Sequence, residues 1–445
     1  MNETPTRRRF LKNGAATAFL AAAPAIVRGQ NLNSGIQLAA IGSDGKGWDD
    51  TKQMATHDRV KHVAFCDIDL GRMDKVKQLQ PQAQVFQDYR DMLGKLGDKI
   101  DAVTVSTPDH MHAFIALDAM RQGKHVYVQK PISHTVWEAR QMRLQAAKSG
   151  VITRMGNQIH SHKFYRTGVR WIQAGTIGKV REVHSWVRAT GHGYAGTLER
   201  PATVAQAPNT LDWDKWIGTA PFRPFAPDIY HPFKWRDWQD FGSGAVGDFG
   251  CHILDPVFTA LKIEKPLLTV QADHTGINHE VWPCQSTVYR VFPGTEYTAA
   301  EQIRITWYDG LRMPTVKGSH VPNSGELPAS GSLIIGEEGT MVLPHVGMPK
   351  LYPEEKFKNR DLAMADDQNH YHGWVDGCLT GKQPSDGFEY GGPLTEVVQL
   401  GNIAVRFPGK KLEWDATSMK FPNLPEADPF LTKSYREGWE IKAVS

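Results

Sequence analysis

The apolar run from Ile36 to Ile41 (IQLAAI), followed at once by Gly42-Ser43-Asp44-Gly45-Lys46-Gly47, constrains this chain more than any other feature. A continuous apolar run of that length reads as a strand buried on both faces, and the glycines after it mark the turn into a helix. The same alternation continues for about a hundred residues. Helical patterns fall at 48–57, 89–96, 110–122 and 136–149, the last stopped by Gly150. Strand patterns fall at 60–68, 84–86, 101–106, 124–128 and 151–155. Strands alternating with helices predict a parallel, doubly wound sheet, an α/β domain over 35–157. A chain of 445 residues has room for one or two further domains.

The glycine-rich turn carries chemistry as well as shape. Glycines between a first strand and a first helix let the backbone approach a pyrophosphate, whose charge then meets the helix N-terminus. Read as G-x-G-x-x-G, the outer glycines are Gly42 and Gly47, while Asp44 replaces the middle one and Gly45 stands beside it. A carboxylate there repels a pyrophosphate unless it points away. Asp67 ends the second strand about 25 residues after Gly42, close to the ~20 of a dinucleotide fingerprint. An acid at that place hydrogen-bonds the adenosine ribose and repels a 2′-phosphate, which favours NAD over NADP.

Two more strand ends point to the same crevice. They carry Thr107-Pro108-Asp109-His110-Met111-His112 and Gln129-Lys130-Pro131. Ligands of open α/β sheets bind outside the carboxyl ends of the strands, so Thr107, Pro108, His112 and Gln129 join Gly42, Gly45, Gly47 and Asp67 as cofactor-contact candidates. Lys130 offers a positive charge for a developing alkoxide or a polarised carbonyl. Further on, Asp248, His252 and Asp255 are spaced i, i+4, i+7, which on a single helix puts all three on one face. A metal would need three or four converging ligands, and the sequence predicts none here.

In order and content these motifs, with Gly247-Asp248-Phe249-Gly250-Cys251-His252, resemble the Gfo/Idh/MocA oxidoreductase family from about Ile36 to the C-terminus. Members usually carry Glu-Lys-Pro where this chain has Gln129-Lys130-Pro131. The resemblance implies a Rossmann domain followed, over 158–445, by an α+β domain with an open, mostly antiparallel sheet used for substrate binding and oligomerisation. The sequence is compatible with that. A helix is expected at 164–173 and strands at 179–188, 267–272, 285–291, 297–307 and 331–343. The resemblance also implies Lys130, Asp248 and His252 as the catalytic positions. His252 suits the role of general acid/base, Asp248 that of a substrate hydrogen-bonder, and Lys130 that of alkoxide stabiliser. Asp255 is expected behind them. Asn157, Gln158 and Arg166, at the domain junction, are expected to reach substrate hydroxyls.

Residues 189–240 form a long insertion rich in Pro, Trp and Phe, and a loop that long within a compact domain is usually functional. Trp235 and Arg236 are its strongest substrate candidates; Trp213, Trp216, Trp238, Tyr230 and His231 lie nearby. Aromatic faces suit the C–H faces of a pyranose, although a lone tryptophan more often packs its own loop. The substrate implied is a carbohydrate, a sugar, glycoside or polyol hydroxyl. A glycosidase that oxidises transiently, and a non-catalytic sugar binder, are the alternatives.

Thr6-Arg7-Arg8-Arg9-Phe10-Leu11-Lys12 precedes a short stretch, 15–26, of small apolar residues. That stretch is too short to span a bilayer, and paired arginines before it match a twin-arginine export signal over 1–30, predicting an extracytoplasmic or periplasmic protein. Free NAD is not expected there, so the cofactor is expected to be held tightly and recycled in place. Basic residues are scattered at a net charge of +3, with no stripe suited to nucleic acid. Four dispersed cysteines argue against a disulfide framework.

Overall fold

The structure, a computed structural model, describes residues 35–188, 199–202, 204–322 and 326–445. The basic leader and residues 189–198 of the insertion therefore lie outside the described residues.

The alternation read from the sequence forms a six-stranded, wholly parallel sheet. Its strands are β1 (Ile36–Ile41), β2 (Val60–Cys66), β3 (Gln84–Phe86), β4 (Ala102–Val105), β5 (His125–Gln129) and β6 (Thr153–Gly156), in the order β3-β2-β1-β4-β5-β6. The helices between them are α1 (Lys46–Met54), α2 (Asp74–Leu79), α3 (Tyr89–Leu96), α4 (Asp109–Arg121) and α5 (Val136–Ser149). β4 is buried along its whole length and β1 at all but Gln37, as strands covered on both faces must be. α5 starts at a Thr135–Glu138 capping box and ends at Gly150 in the left-handed region. The strand order reverses between β1 and β4, and the crevice opens there, where a doubly wound sheet binds its ligand.

The chain then forms α6 (Lys163–Gln173), β7 (Val180–Val187), α7 (Trp213–Ile217), α8 (Gly244–Asp248) and α9 (Gly250–Leu261). Strands β8 (Thr269–His274), β9 (Ser286–Pro293), β10 (Gln302–Asp309), β11 (Ser330–Gly336), β12 (Thr340–Pro344) and β13 (Lys350–Tyr352) follow. After α10 (Glu354–Phe357), α11 (His370–Thr380) and α12 (Phe388–Arg406), β14 (Lys411–Glu413) completes a second sheet in the order β13-β12-β11-β7-β10-β9-β8-β14. All of its pairs are antiparallel except β7 with β10. The run expected at 331–343 is two strands, because Gly336 to Gly339 turns the chain back on itself. Of the run expected at 297–307 only the part from Gln302 is strand; Thr298 bonds back to Thr295 and makes a turn.

The C-terminal part returns to the first sheet. α11 packs on one of its faces through Trp374, Val375 and Cys378 against Leu38 and Tyr127. The last residues run along α5: Tyr435 donates to Glu138, Lys433 pairs with the same carboxylate, and the Val444 N–H donates to Gln141. Among the described residues no helix is long and apolar enough to cross a membrane.

Candidate active site

A cleft of about 540 Å³ lies at the carboxyl ends of β1, β2, β4 and β5. Gly42 forms its floor with φ 88°, and a Cβ there would stand 2.5 Å from the Ser106 carbonyl. A Cβ on Gly47 would run into the Gly42 carbonyl. Thus Gly42 lets two loops approach at the crevice, and Gly47 lets α1 seat against β1. Asp44, the sequence's awkward carboxylate, is turned to Arg72 at 2.5 Å and Lys75 at 3.1 Å. Burial opposes its ionisation, but the Gly45 N–H and Lys75 hold its pKa below the usual carboxylate range. Its charge is therefore matched before any phosphate arrives. Asp67 accepts from the backbone N–H groups of Ser43 and Asp69 at 2.8 and 3.0 Å. Burial pushes its pKa up to about 6 against those two bonds.

The opposite wall brings Lys130, Asp248 and His252 together. The Lys130 ammonium pairs with the Asp248 carboxylate and also donates to its carbonyl at 2.7 Å. His252 Nδ1 lies 2.5 Å from Asn157 Oδ1, while Asn157 Nδ2 donates to the Cys251 carbonyl at 3.0 Å. That second bond fixes which way the Asn157 amide points, so Nδ1 of His252 carries the proton and Nε2 is left as an acceptor toward the cleft. Burial, with Lys130 and His345 adding repulsion, holds His252 well below its ordinary pKa and hence neutral.

Several expectations need correction. Asn157 is fully buried, with both amide atoms engaged, and acts on His252 rather than on a substrate. Arg166 lines a separate cavity between α6 and α9, with Tyr165, Val169 and Pro256. Asp255 faces that second cavity too, bonded to His160 at 2.9 Å and Tyr390 at 2.6 Å. A break at Phe249 separates Asp248, at the end of α8, from His252 and Asp255 on α9, so the three do not share a face of one helix. His112 borders the cleft, yet its two nitrogens lie 2.7 Å from the Pro131 and Thr107 carbonyls, and the neutral ring donates to one of them. It staples two loops together. Thr107, Pro108, Gln129, Gln158, Trp235 and Arg236 all line the cleft.

Sequence reasoning passed over Asp109. It is 3% exposed, borders the cleft and bonds Ser243. Burial, then the Asp248 charge, raises its pKa to about 7. A carboxylic acid poised there can hold or release a proton at neutral pH. Its pattern signal was weak because Asp109 opens α4, where acids are common helix starters.

The insertion roofs the cleft with His231, Phe233, Trp235 and Arg236, the guanidinium lying 4.3 Å from the Trp235 ring centre. His231 bonds Asp69 at 3.0 Å, and the Leu70 and Asp212 N–H groups cross-bond to Thr210 and Ile68. Trp213, Trp216, Tyr230, Trp238 and Phe241 stack into the insertion's own small core, with Trp213 and Trp216 at 4.7 Å. Of the four tryptophans only Trp216 and Trp235 reach the cleft.

Fold and cleft define a dinucleotide-binding oxidoreductase scaffold. Residues 36–157 match the Gfo/Idh/MocA oxidoreductase family's NAD-binding Rossmann fold, and residues 183–281 match its C-terminal alpha/beta domain. The chain thus matches models of both domains of that family, and its cofactor is NAD. The two-glycine cradle, the N-terminus of α1 and Asp67 fit such a dinucleotide without rearrangement. A glycosyl hydrolase family 109 protein of Shewanella putrefaciens is 34% identical over 165 residues, 31% of this chain and 36% of that protein. An alpha-N-acetylgalactosaminidase of Shewanella oneidensis is 33% identical over 116 residues, 24% of this chain and 25% of that protein. The chain thus spans about a quarter to a third of these relatives' length. Among solved structures, the WlbA dehydrogenase of Bordetella pertussis, crystallised with NADH and UDP-GlcNAcA, superposes with TM-score 0.60 at 16% identity, over 86% of this chain and 99% of that one. Levoglucosan dehydrogenase, with NADH and levoglucosan, gives 0.60 at 14% identity, over 85% and 99%. At those identities they show the fold.

Proposed function

We propose that this protein is an exported NAD-dependent dehydrogenase of a sugar, glycoside or polyol hydroxyl, which keeps its NAD bound and recycles it in place. The observation that carries the reading is the orientation of His252: neutral, its Nδ1 proton held by Asn157, its Nε2 turned to the cleft beside Lys130. His252 Nε2 takes the proton of the reacting hydroxyl. Lys130 sets its positive charge against the oxygen that loses it, and Asp248 holds Lys130 in place. Bound NAD supplies the acceptor for the carbinol hydride. Trp235 and Arg236 offer an apolar face and hydrogen-bond donors for a sugar ring. The motif at Arg7-Arg8 supports export by the twin-arginine machinery, and the second sheet offers a face for self-association into a homo-oligomer. Screening mono- and disaccharides for an absorbance change of the bound nicotinamide tests the proposal; protein that neither carries NAD after dialysis nor responds to any sugar would sink it.

The 109-family relatives favour a second reading, a glycosidase that oxidises, eliminates and reduces with no net redox change. The same residues serve, and Asp109 adds a proton holder. Release of sugar from an aryl glycoside without net NADH separates the two. A non-catalytic sugar binder rested on the departures Asp44 and Gln129, and each has a partner that accommodates it.

A further inference from the structure

Directly behind the cleft wall sits a carboxylate that no motif announces. Asp50, on α1, is fully buried. Four donors converge on it: Gln129 Nε2 at 2.7 Å, Ser106 Oγ at 2.8 Å, Lys46 Nζ at 2.9 Å and Tyr371 Oη at 3.1 Å. They come from β5, the loop after β4, α1 itself and the distant α11. Lys46 also donates to Tyr371 at 3.0 Å, which closes a ring of bonds around the charge. Burial, the largest cause, lifts the pKa of Asp50 above the usual carboxylate value although Lys46, Ser106 and Gln129 pull it down, and the ionised form is the one that accepts from all four donors.

This ring explains the departure at position 129. A glutamate there would bring a second carboxylate against Asp50, and two carboxylates at hydrogen-bond distance do not both ionise. With glutamine the amide nitrogen is committed to Asp50, and the carbonyl oxygen is what Gln129 can offer to the cleft. Gly156 makes the room for it, since a Cβ there would come within 2.7 Å of Gln129 Nε2.

We infer that Asp50 is a positioning residue which orients Gln129 so that a neutral acceptor faces the nicotinamide end of the cleft, with the buried negative charge moved from the strand end to α1. Gln129 Oε1 then suits an N–H donor such as the cofactor's carboxamide. Lys130, next along, keeps Asp248 as its carboxylate partner.

The test uses the whole protein and reads NADH affinity by energy transfer from Trp216 and Trp235, with no sugar present, so it stands apart from any result on substrate. Asp50→Asn and Gln129→Glu singly each weaken NADH binding by about tenfold or more, the worth of one displaced proton or lost charge pairing. The exchange Asp50→Asn with Gln129→Glu, which swaps donor and acceptor, returns affinity to within about threefold of the starting protein. In Gln129→Glu alone, acidification restores binding, because one proton shared by the two carboxylates relieves their repulsion. The groups facing Asp50 in that titration are Lys46, Ser106, residue 129 and Tyr371, with the Tyr127 phenol nearby. A merely structural defect goes the other way, since the buried histidines make the fold less stable in acid. Unchanged affinity in Gln129→Glu, affinity that falls further on acidification, or an exchange variant no better than the weaker single overturns the inference. If Asp50→Asn does not fold, Gln129→Glu and its pH response decide alone.

Discussion

Asn157 and Asp109 show how far single side chains govern the chemistry. Asn157 sets the tautomer of His252 without charging it. Replacing it by Asp keeps an acceptor on Nδ1 but adds a negative charge, which favours the imidazolium. The acidic limb of the pH–rate profile should then move to higher pH, whereas Asn157→Leu should lower kcat by about a hundredfold with little change in KM. Asp109→Asn removes the group that titrates near 7. The limb of the profile near that pH should vanish while NADH affinity is kept; a profile identical to that of the starting protein would rule out a proton role for Asp109. These two residues also mark the limit of reading the sequence. His252, Lys130 and Asp248 stand out because their types match a reaction. Asn157 was visible as polar and near the junction, but its partners are set by two hydrogen bonds that depend on how α9 meets the end of β6. Arg166 was misjudged for the same reason: from α6 its side chain points to the far side of α9.

The parallel sheet was readable because each strand is a short apolar run between turn signals, and helices on both faces leave no ambiguity about burial. α12 escaped notice for the opposite reason. Its 19 residues are nearly all buried, so it has no polar stripe, and Pro393 and two glycines break the appearance of a helix. The insertion was recognised as functional by length and aromatic content, yet most of those aromatics serve its own core. Truncating the fully buried Trp238 should destabilise the insertion by about 3–5 kcal/mol and leave the parallel sheet folded, which hydrogen exchange can resolve. His231→Ala cuts the bond to Asp69 that ties this roof to the second βα loop. NADH release, followed by loss of energy transfer, should become faster by about tenfold; an unchanged rate would show that the roof does not retain the dinucleotide.

Across the entire protein, burial has left many histidines neutral. His62, His112 and His125 are held at about 4 and His110 at about 3, chiefly by burial, and His134, His252 and His370 lie well below the ordinary value for the same first cause. Below about pH 6.5 the unfolded chain binds protons that the folded one refuses, so stability falls as pH falls. Asp67, Asp109 and Asp309 oppose this, because burial lifts them to about 6, 7 and 6 and they take up protons while folded. Asp50 and Asp101 are raised as well, but His184, His231, His274 and His345 are lowered too, so the histidines outnumber the aspartates and the Tm at pH 5 should lie at least about 5 °C below that at pH 7. His160 works at the other end. Against the cost of burial, Asp255 raises it to about 9, so its contribution is present below pH 6.5 and is lost only as pH rises through 9.

The return of the C-terminal residues to α5 and of Tyr371 to Asp50 bears on how the molecule comes into being on the ribosome. A chain made from its N-terminus has its parallel sheet hundreds of residues before the pieces that complete it, for Tyr371, one partner of Asp50, and Tyr435, one partner of Glu138, lie about 320 and 300 positions later. Until Tyr371 and Tyr435 have been made, the back wall of the dinucleotide cleft lacks a support and α5 has a bare flank. The dinucleotide cleft thereby waits for residues made long after its own glycine turn, and a chain released before Tyr371 lacks part of that wall.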